Sequence, residues 1–152
     1  MDEIQKGKRY QRLYVQVESL MAKSNDPTAR MATIAALLHN KLEYFFWTGF
    51  YMLKNGVLTV GPYQGAVACL ELAKDKGVCW AAINSQKTVI VPDVEKFPGH
   101  IACDSRSKSE IVVPVRYQGA IIGVLDVDSK ELNSFDETDA GELEKIVELI
   151  FI

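Results

Sequence analysis

The chain has 152 residues, 48% of them hydrophobic and 24% charged, with a net charge of −3. A chain of this length fits one domain that buries roughly 70% of its unfolded surface, which argues against disorder; without a basic run, nucleic acid and anionic membranes are not expected partners. The amino terminus MDEIQKGKRYQRLY is charged, with no secretory apolar stretch, and no window suits a membrane span, so a cytosolic protein is expected.

In chain order, Tyr10, Leu13, Val17 and Leu20 recur at helical spacing and predict a first helix. Asp26 and Pro27 supply an N-cap and a first-turn proline for a second, whose inner face carries Met31, Ile34, Ala35, Leu38 and Leu42. FWTGFYML then turns to strand-like residues, and Asn55-Gly56 before VLTVGPY predicts a hairpin. After Gly77, VCWAAINSQ predicts a short helix leading into the strand TVIVPDV and the loop EKFPGHIACDSRSK. EIVVPVRY and IIGVLDV, joined at Gln118-Gly119, form a further hairpin. Ser134 with Glu137 reads as the capping box of a last helix that buries Leu143, Ile146, Val147 and Ile150. Helices at both ends of antiparallel hairpins indicate an α+β layered domain.

Cys69, Cys79 and Cys103 are an odd number without an export signal, which argues against a stable structural disulfide framework and leaves buried, metal-bound or reactive thiols. Cys103 lies in a polar loop with Pro98 and Gly99, where a thiol is reachable; its thiolate character needs a positive neighbour, and His100 and Arg106 are near in sequence. The alternative is a small buried hydrophobe. Cys69 and Cys79 are candidate resolving thiols or buried core residues. Asp126 and Asp128 share one strand face, which suits a cationic group or forces one carboxyl to stay protonated; two solvated aspartates at a strand end are the alternative. Glu110 has the same ambiguity. Trp47, Gly49 and Tyr51 also share a face, where Gly49 leaves room for an apolar or sulfur-bearing group unless the rings simply pack the core. His100-x-x-Cys103 is half a zinc pattern without a CxxC partner, so no metal site is expected, and no Walker A, GxGxxG or GxSxG motif is present.

Taken together, WTGFY, GPYQGAVAC, GVCWAA, FPGHIACDSRSKSEIVVP and GVLDVDS resemble the free methionine-(R)-sulfoxide reductases, small enzymes built on a GAF domain. The resemblance runs from about Trp47 to Ser129. It implies one GAF domain over residues 1–152, a central mainly antiparallel sheet, and terminal helices over about 3–24, 27–44 and 136–151. It implies Cys103 as catalytic cysteine, Cys69 as the main resolving partner and Cys79 as an auxiliary thiol. It places Glu110, Asp126 and Asp128 in the substrate pocket with Trp47 and Tyr51 lining it. Trp80 departs from the family's usual glycine and is expected to restrict Cys79, and the last helix is expected to lack the tail seen in relatives.

The implied reaction is attack of the Cys103 thiolate on the sulfur of free methionine sulfoxide, giving methionine and a sulfenic acid that condenses with Cys69. The resulting disulfide is recycled by a thioredoxin-type reductant, with no cofactor. Asp126 and Asp128 would hold the ammonium while Glu110 protonates the sulfoxide oxygen, although these three roles permute on sequence alone. A homodimer, through the first helix, is implied by the resemblance. The rival readings are a GAF module that binds a small ligand without changing it and a peroxide-responsive thiol sensor.

Overall fold

The protein is described here by a computed structural model covering residues 1–100 and 103–152; Ile101 and Ala102 of the GHIACD segment lie outside the described residues. Two helices come first, α1 (Glu3–Met21) and α2 (Pro27–Lys41), each with an aspartate cap: Asp2 accepts from the Gln5 N–H and Asp26 from the Ala29 N–H. The strands β1 (Trp47–Lys54), β2 (Val57–Gln64) and β3 (Glu71–Leu72) follow, then α3 (Gly77–Ser85), β4 (Val89–Val91), β5 (Ser109–Tyr117), β6 (Ala120–Ser129) and α4 (Glu137–Glu148).

The strands form one six-stranded sheet in the order β3-β2-β1-β6-β5-β4, every pair antiparallel. Both expected hairpins form, and their turn residues take the left-handed conformation that two-residue loops require: φ is +54° and +79° at Asn55 and Gly56, and +51° and +81° at Gln118 and Gly119. The α+β arrangement expected from helices flanking antiparallel hairpins is the one observed.

Side-chain alternation divides the sheet into two faces. Phe50, Ile111, Val113, Val115, Leu125 and Val127 point to one face, where α1, α2 and α4 cover them with Tyr10, Leu13, Ile34, Leu38, Leu143, Ile146 and Ile150. Tyr51, Val112 and Val124 point to the other, against Val78, Trp80 and Ala82 of α3 and Val94. The helix residues read from periodicity are buried as expected, except Leu20, which packs half-buried at the edge.

Several element ends differ from expectation. The last helix is capped by Asp136 and Asp139, not by Ser134 and Glu137: the Asp136 carboxylate accepts from the Thr138 and Asp139 N–H groups, and Asp139 returns the bond to the Asp136 N–H at 2.8 Å. Ser134 instead pairs its hydroxyl with Ser129 at 2.7 Å. The regular α-helices stop at Met21, Lys41 and Glu148, short of the expected 24, 44 and 151, because Leu42 turns extended and residues Leu149–Phe151 tighten into a 3-10 turn. The expected strand TVIVPDV is paired only over Val89–Val91, since Pro92 cannot donate to the ladder and Asp93 caps a 3-10 turn.

Candidate active site

The second sheet face carries the site. In β1, β6 and β5 the residues Trp47, Asp128 and Glu110 form one cross-strand rung, and Gly49, Asp126 and Val112 form the rung two residues along. Three carboxyl side chains from two neighbouring strands thereby converge under α3 in one cavity, lined also by Trp47, Tyr51, Cys79, His100 and Cys103. Glu110 and Asp126 are 5% and 6% exposed, and Asp128 is half-buried. Carboxylates directly across a strand pair repel, and burial removes the water that would screen them. Burial first, and then the charges of Asp126 and Asp128, push the Glu110 carboxyl well above the ordinary carboxylate range. Asp128 rises through burial and then the charges of Asp126 and Asp104, and Asp126 rises through burial, offset by hydrogen bonding to Glu110 and Cys79.

Asp126 Oδ1 has no hydrogen-bond partner among the described residues. A buried carboxylate oxygen left unpaired costs free energy, so this atom is set for a donor that arrives from outside. Donor atoms of Cys79, Glu110 and Asp126 all lie within 4.8 Å of one another, close enough to share a cation, a demand that an ammonium group also meets.

Cys69 and Cys103 are joined by a disulfide with a Cα–Cα distance of 5.7 Å, closing a loop over a sequence separation of 34. Cys103 faces solvent and the cavity, whereas Cys69 is half-buried. The loop that carries Cys69 is tied down from β1: the Tyr51 hydroxyl donates to the Cys69 carbonyl at 2.9 Å and the Trp47 indole N–H to the Ala66 carbonyl at 3.0 Å. Burial, then the carboxylates, pushes Tyr51 up and holds it protonated as a donor. Cys79 is a free, buried thiol, and burial followed by the charges of Asp126 and Glu110 raises it well above the usual thiol value.

Three features depart from the sequence reading. The space expected over Gly49 is filled by Trp47 itself, whose ring would lie 2.7 Å from a Cβ built there; Trp47 also stacks on Tyr51 and Tyr63 at 5.9 and 5.2 Å. Arg106 is turned from the thiols: it pairs with Asp104 at 2.8 and 3.0 Å and lies over the Phe46 ring, while holding Asp104 down at about 2. Trp80 lies in the same buried cluster as Cys79 and donates to the Leu72 carbonyl, without itself lining the cavity. Lys76, Val78 and Ser107 line the cavity without having been picked out from the sequence; Lys76 just before α3 and Gly77 as its first residue were the available signal.

Residues 26–152 match the GAF domain family. Over 97% of its length the chain is 50% identical to GAF domain-containing protein A of Dictyostelium discoideum, covering 96% of that protein. It is 40% identical to the free methionine-R-sulfoxide reductase of Escherichia coli over 85% of this chain and 78% of that one. The chain belongs to the free methionine-(R)-sulfoxide reductase family. Within that family, the structure of the Neisseria meningitidis free methionine-R-sulfoxide reductase in complex with its substrate superimposes with a TM-score of 0.93 at 40% identity, covering 99% of this chain and 89% of that one. The three-carboxylate cavity and its disulfide are thus set in an enzyme fold of oxidoreductases. Among the described residues no helix is long and apolar enough to cross a membrane.

Proposed function

We propose that this chain reduces free L-methionine-(R)-sulfoxide to L-methionine with Cys103 as nucleophile. The observation that carries the reading is one cavity lined both by Cys103, which is joined to Cys69 in a disulfide, and by a three-carboxyl cluster with an unpartnered buried oxygen. The Cys103 thiolate attacks the sulfoxide sulfur; the S–O bond breaks as Glu110, kept protonated by burial and its acidic neighbours, gives its proton to the oxygen. The released hydroxide then attacks the Cys103 sulfur, the bond between the two sulfurs breaks and methionine leaves; the sulfenic acid so formed on Cys103 condenses with the Cys69 thiol to a disulfide and water. An external dithiol then supplies two electrons and two protons to restore both thiols.

Asp126 and Asp128 are assigned to the substrate ammonium, and Trp47 and Tyr51 to its side chain. An amide nitrogen inside a peptide carries no charge and would leave those carboxylates unpaired, so free amino acid is preferred over peptide-bound residue. Cys79 remains assigned as an auxiliary thiol; burial and the neighbouring carboxylates weaken its acidity, which supports a slow exchange role and a hydrogen bond to Asp126.

The proposed recycling partner is a thioredoxin-type protein. The exposure of Cys103, and of Val67 and Leu70 flanking Cys69 at 84% and 73%, supports access by a protein thiol. A disulfide that must be reduced in every cycle suits a cytoplasmic setting. A homodimer through α1 belongs to the same reading, supported by Ile4 and Val15, exposed on one side of that helix; sedimentation of the native chain as a monomer would remove it. Residues 1–152 are read as one domain because Lys6 and Tyr10 of α1 bond Asp139 of α4.

The test is methionine release from the R and S epimers with a dithiol reductant, comparing the native chain with Cys103→Ser. Turnover of the R epimer that vanishes in the variant is expected. A reduced, folded native chain that releases no methionine would replace the reading with a ligand-binding GAF module.

A further inference from the structure

The cavity under α3 also meets the requirements of a metal centre, with residues that no sequence spacing links. Cys79 of α3, Glu110 of β5 and Asp126 of β6 bring their ligand atoms within 4.8 Å of one another. All three are more than nine-tenths buried, so each reaches this point from a packed element and not from a loop. His100 and Cys103, the half zinc pattern of the sequence, are not members of this group.

Zinc holds a thiolate sulfur at about 2.3 Å and a carboxylate oxygen at about 2.0–2.2 Å, which sets the ligand atoms of a tetrahedral site about 3.5 Å apart. Side-chain rotation by about 1 Å or less brings the three groups from their present spacing to that distance. Three protein ligands with a fourth position open to a small molecule is a coordination that zinc adopts in its exchangeable sites.

A second observation points to a cation at the same place. Asp126 Oδ1 is buried in the cavity wall and has no hydrogen-bond partner among the described residues. Asp128 stands across the strand pair from Glu110, and the one lysine or arginine among the described lining residues, Lys76, is exposed at the rim. Buried negative groups therefore meet here without a buried positive one. The substrate ammonium satisfies Asp126 during turnover but gains nothing from the Cys79 sulfur. A cation that bonds to sulfur uses all three atoms.

We propose that Cys79, Glu110 and Asp126 form a binding site for a thiophilic divalent cation of the zinc class, and that the bound ion reversibly blocks the reductase reaction. The binding is a property of the cavity, whereas the block rests on the reductase reading. The Cys79 thiol gives its proton to solvent as the Zn–S bond forms, any proton on the two carboxyl groups leaves with it, and nothing is oxidised or reduced. The ion then fills the seat of the substrate ammonium at Asp126 and engages the Glu110 oxygen that serves the sulfoxide. Metal-free protein is the working form.

The test starts from the oxidised native chain, in which the Cys69–Cys103 disulfide leaves Cys79 as the free thiol. Titration with cobalt(II), a spectroscopic stand-in for zinc, is expected to give a near-ultraviolet sulfur-to-cobalt charge-transfer band, which zinc abolishes. Magnesium is expected to leave the band in place, since that ion takes oxygen ligands. Folded Cys79→Ser is expected to lose the band and to bind zinc about 100-fold more weakly by calorimetry, and Asp126→Asn, which keeps the thiol, about tenfold more weakly. No band in the native chain, a band that magnesium displaces as well as zinc, or unchanged zinc affinity in both variants overturns the site. For the block, prereduced protein freed of dithiol makes a single turnover of methionine sulfoxide with and without zinc. Methionine formation is expected to fall by about tenfold or more and to recover with a chelator, and Cys79→Ser should need about 100-fold more zinc for the same effect. Formation unchanged by saturating zinc, or equal sensitivity in the variant, overturns the block. A native chain that forms no methionine without zinc instead overturns the reductase reading, and the cobalt spectrum then decides the site by itself.

Discussion

Glu110 concentrates the conflict between stability and chemistry in this fold. It sits across the sheet from Asp128 with Asp126 on the next rung, and its carboxyl is held protonated well above the range it would have in the unfolded chain. The folded protein therefore binds more protons than the unfolded chain above the ordinary glutamate value of 4.5, so stability falls as pH rises from there toward the raised value. Asp104 has the opposite sign: held near 2 by Arg106, it favours the fold above its ordinary value of 3.8, and that contribution disappears as pH drops toward 2. Glu110→Gln removes a titrating member of the crowded cluster and is expected to raise the melting temperature of the ligand-free protein at pH 8 and to flatten its decline with pH. The same change removes the proton donor and should lower kcat by roughly 100-fold or more. Thermal melts from pH 5 to 9 and steady-state kinetics check both; a variant less stable than native at pH 8 contradicts the cluster's assigned strain.

At the scale of elements, β1 does two tasks, supplying cavity walls and fastening the Cys69 loop. The Tyr51 hydroxyl bond to the Cys69 carbonyl is the tether. In Tyr51→Phe the first methionine should still form in a single turnover while disulfide closure slows by about threefold to tenfold, the worth of one hydrogen bond. Trapping of the sulfenic acid with a dione reagent should then increase; unchanged closure would show that the loop needs no tether. On the other face, Lys6 of α1 bonds Asp139 of α4 at 2.7 Å, and that same carboxylate accepts from Tyr10 and Tyr44 at 2.6 Å each. Burial keeps both phenols protonated as donors, aided at Tyr10 by Tyr44 and then Asp139, and at Tyr44 by Asp139. Lys6→Met leaves the fully buried Asp139 charge without its cation and should cost about 3–5 kcal/mol in urea unfolding. Asp139→Asn in that background should recover part of the loss.

For the whole molecule, the disulfide ties the β2–β3 connection to the segment before β5 across a separation of 34 residues. Closing a loop of that size in the unfolded chain implies about 4 kcal/mol of stabilisation by the chain-entropy argument. The oxidised protein, as it stands after turnover, is thus expected to unfold at higher urea than the reduced protein, which is the form that meets substrate. Urea curves with and without a small dithiol measure the difference directly, and coincident midpoints would contradict it. Arg30 fastens the other end of the molecule, donating to the carbonyls of Met21, Ser24, Ile150 and Ile152, so the last residues pack against the end of α1 and the start of α2.

Local rules were enough for much of this. Two-residue turns at Asn55-Gly56 and Gln118-Gly119 specify hairpins, because few residues accept a positive φ, and period-two alternation put Asp126 and Asp128 on one face together. The family motifs around Cys69, Cys103 and Glu110 were legible for the same reason: each is short and contiguous. Pairing between strands decided the rest. Only the β1-β6-β5 register puts Trp47, Asp128 and Glu110 on one rung, and only the packing of α3 over that sheet brings the Cys79 sulfur within 4.8 Å of the Glu110 and Asp126 carboxyl groups. Arg106 shows the limit from the other side. Its nearness to Cys103 in sequence suggested a thiolate partner, whereas its fork meets Asp104 two residues away and its charge is spent there. Sequence determines what each segment prefers; which charges meet is a property of distance in space, and distance is set only when the sheet closes.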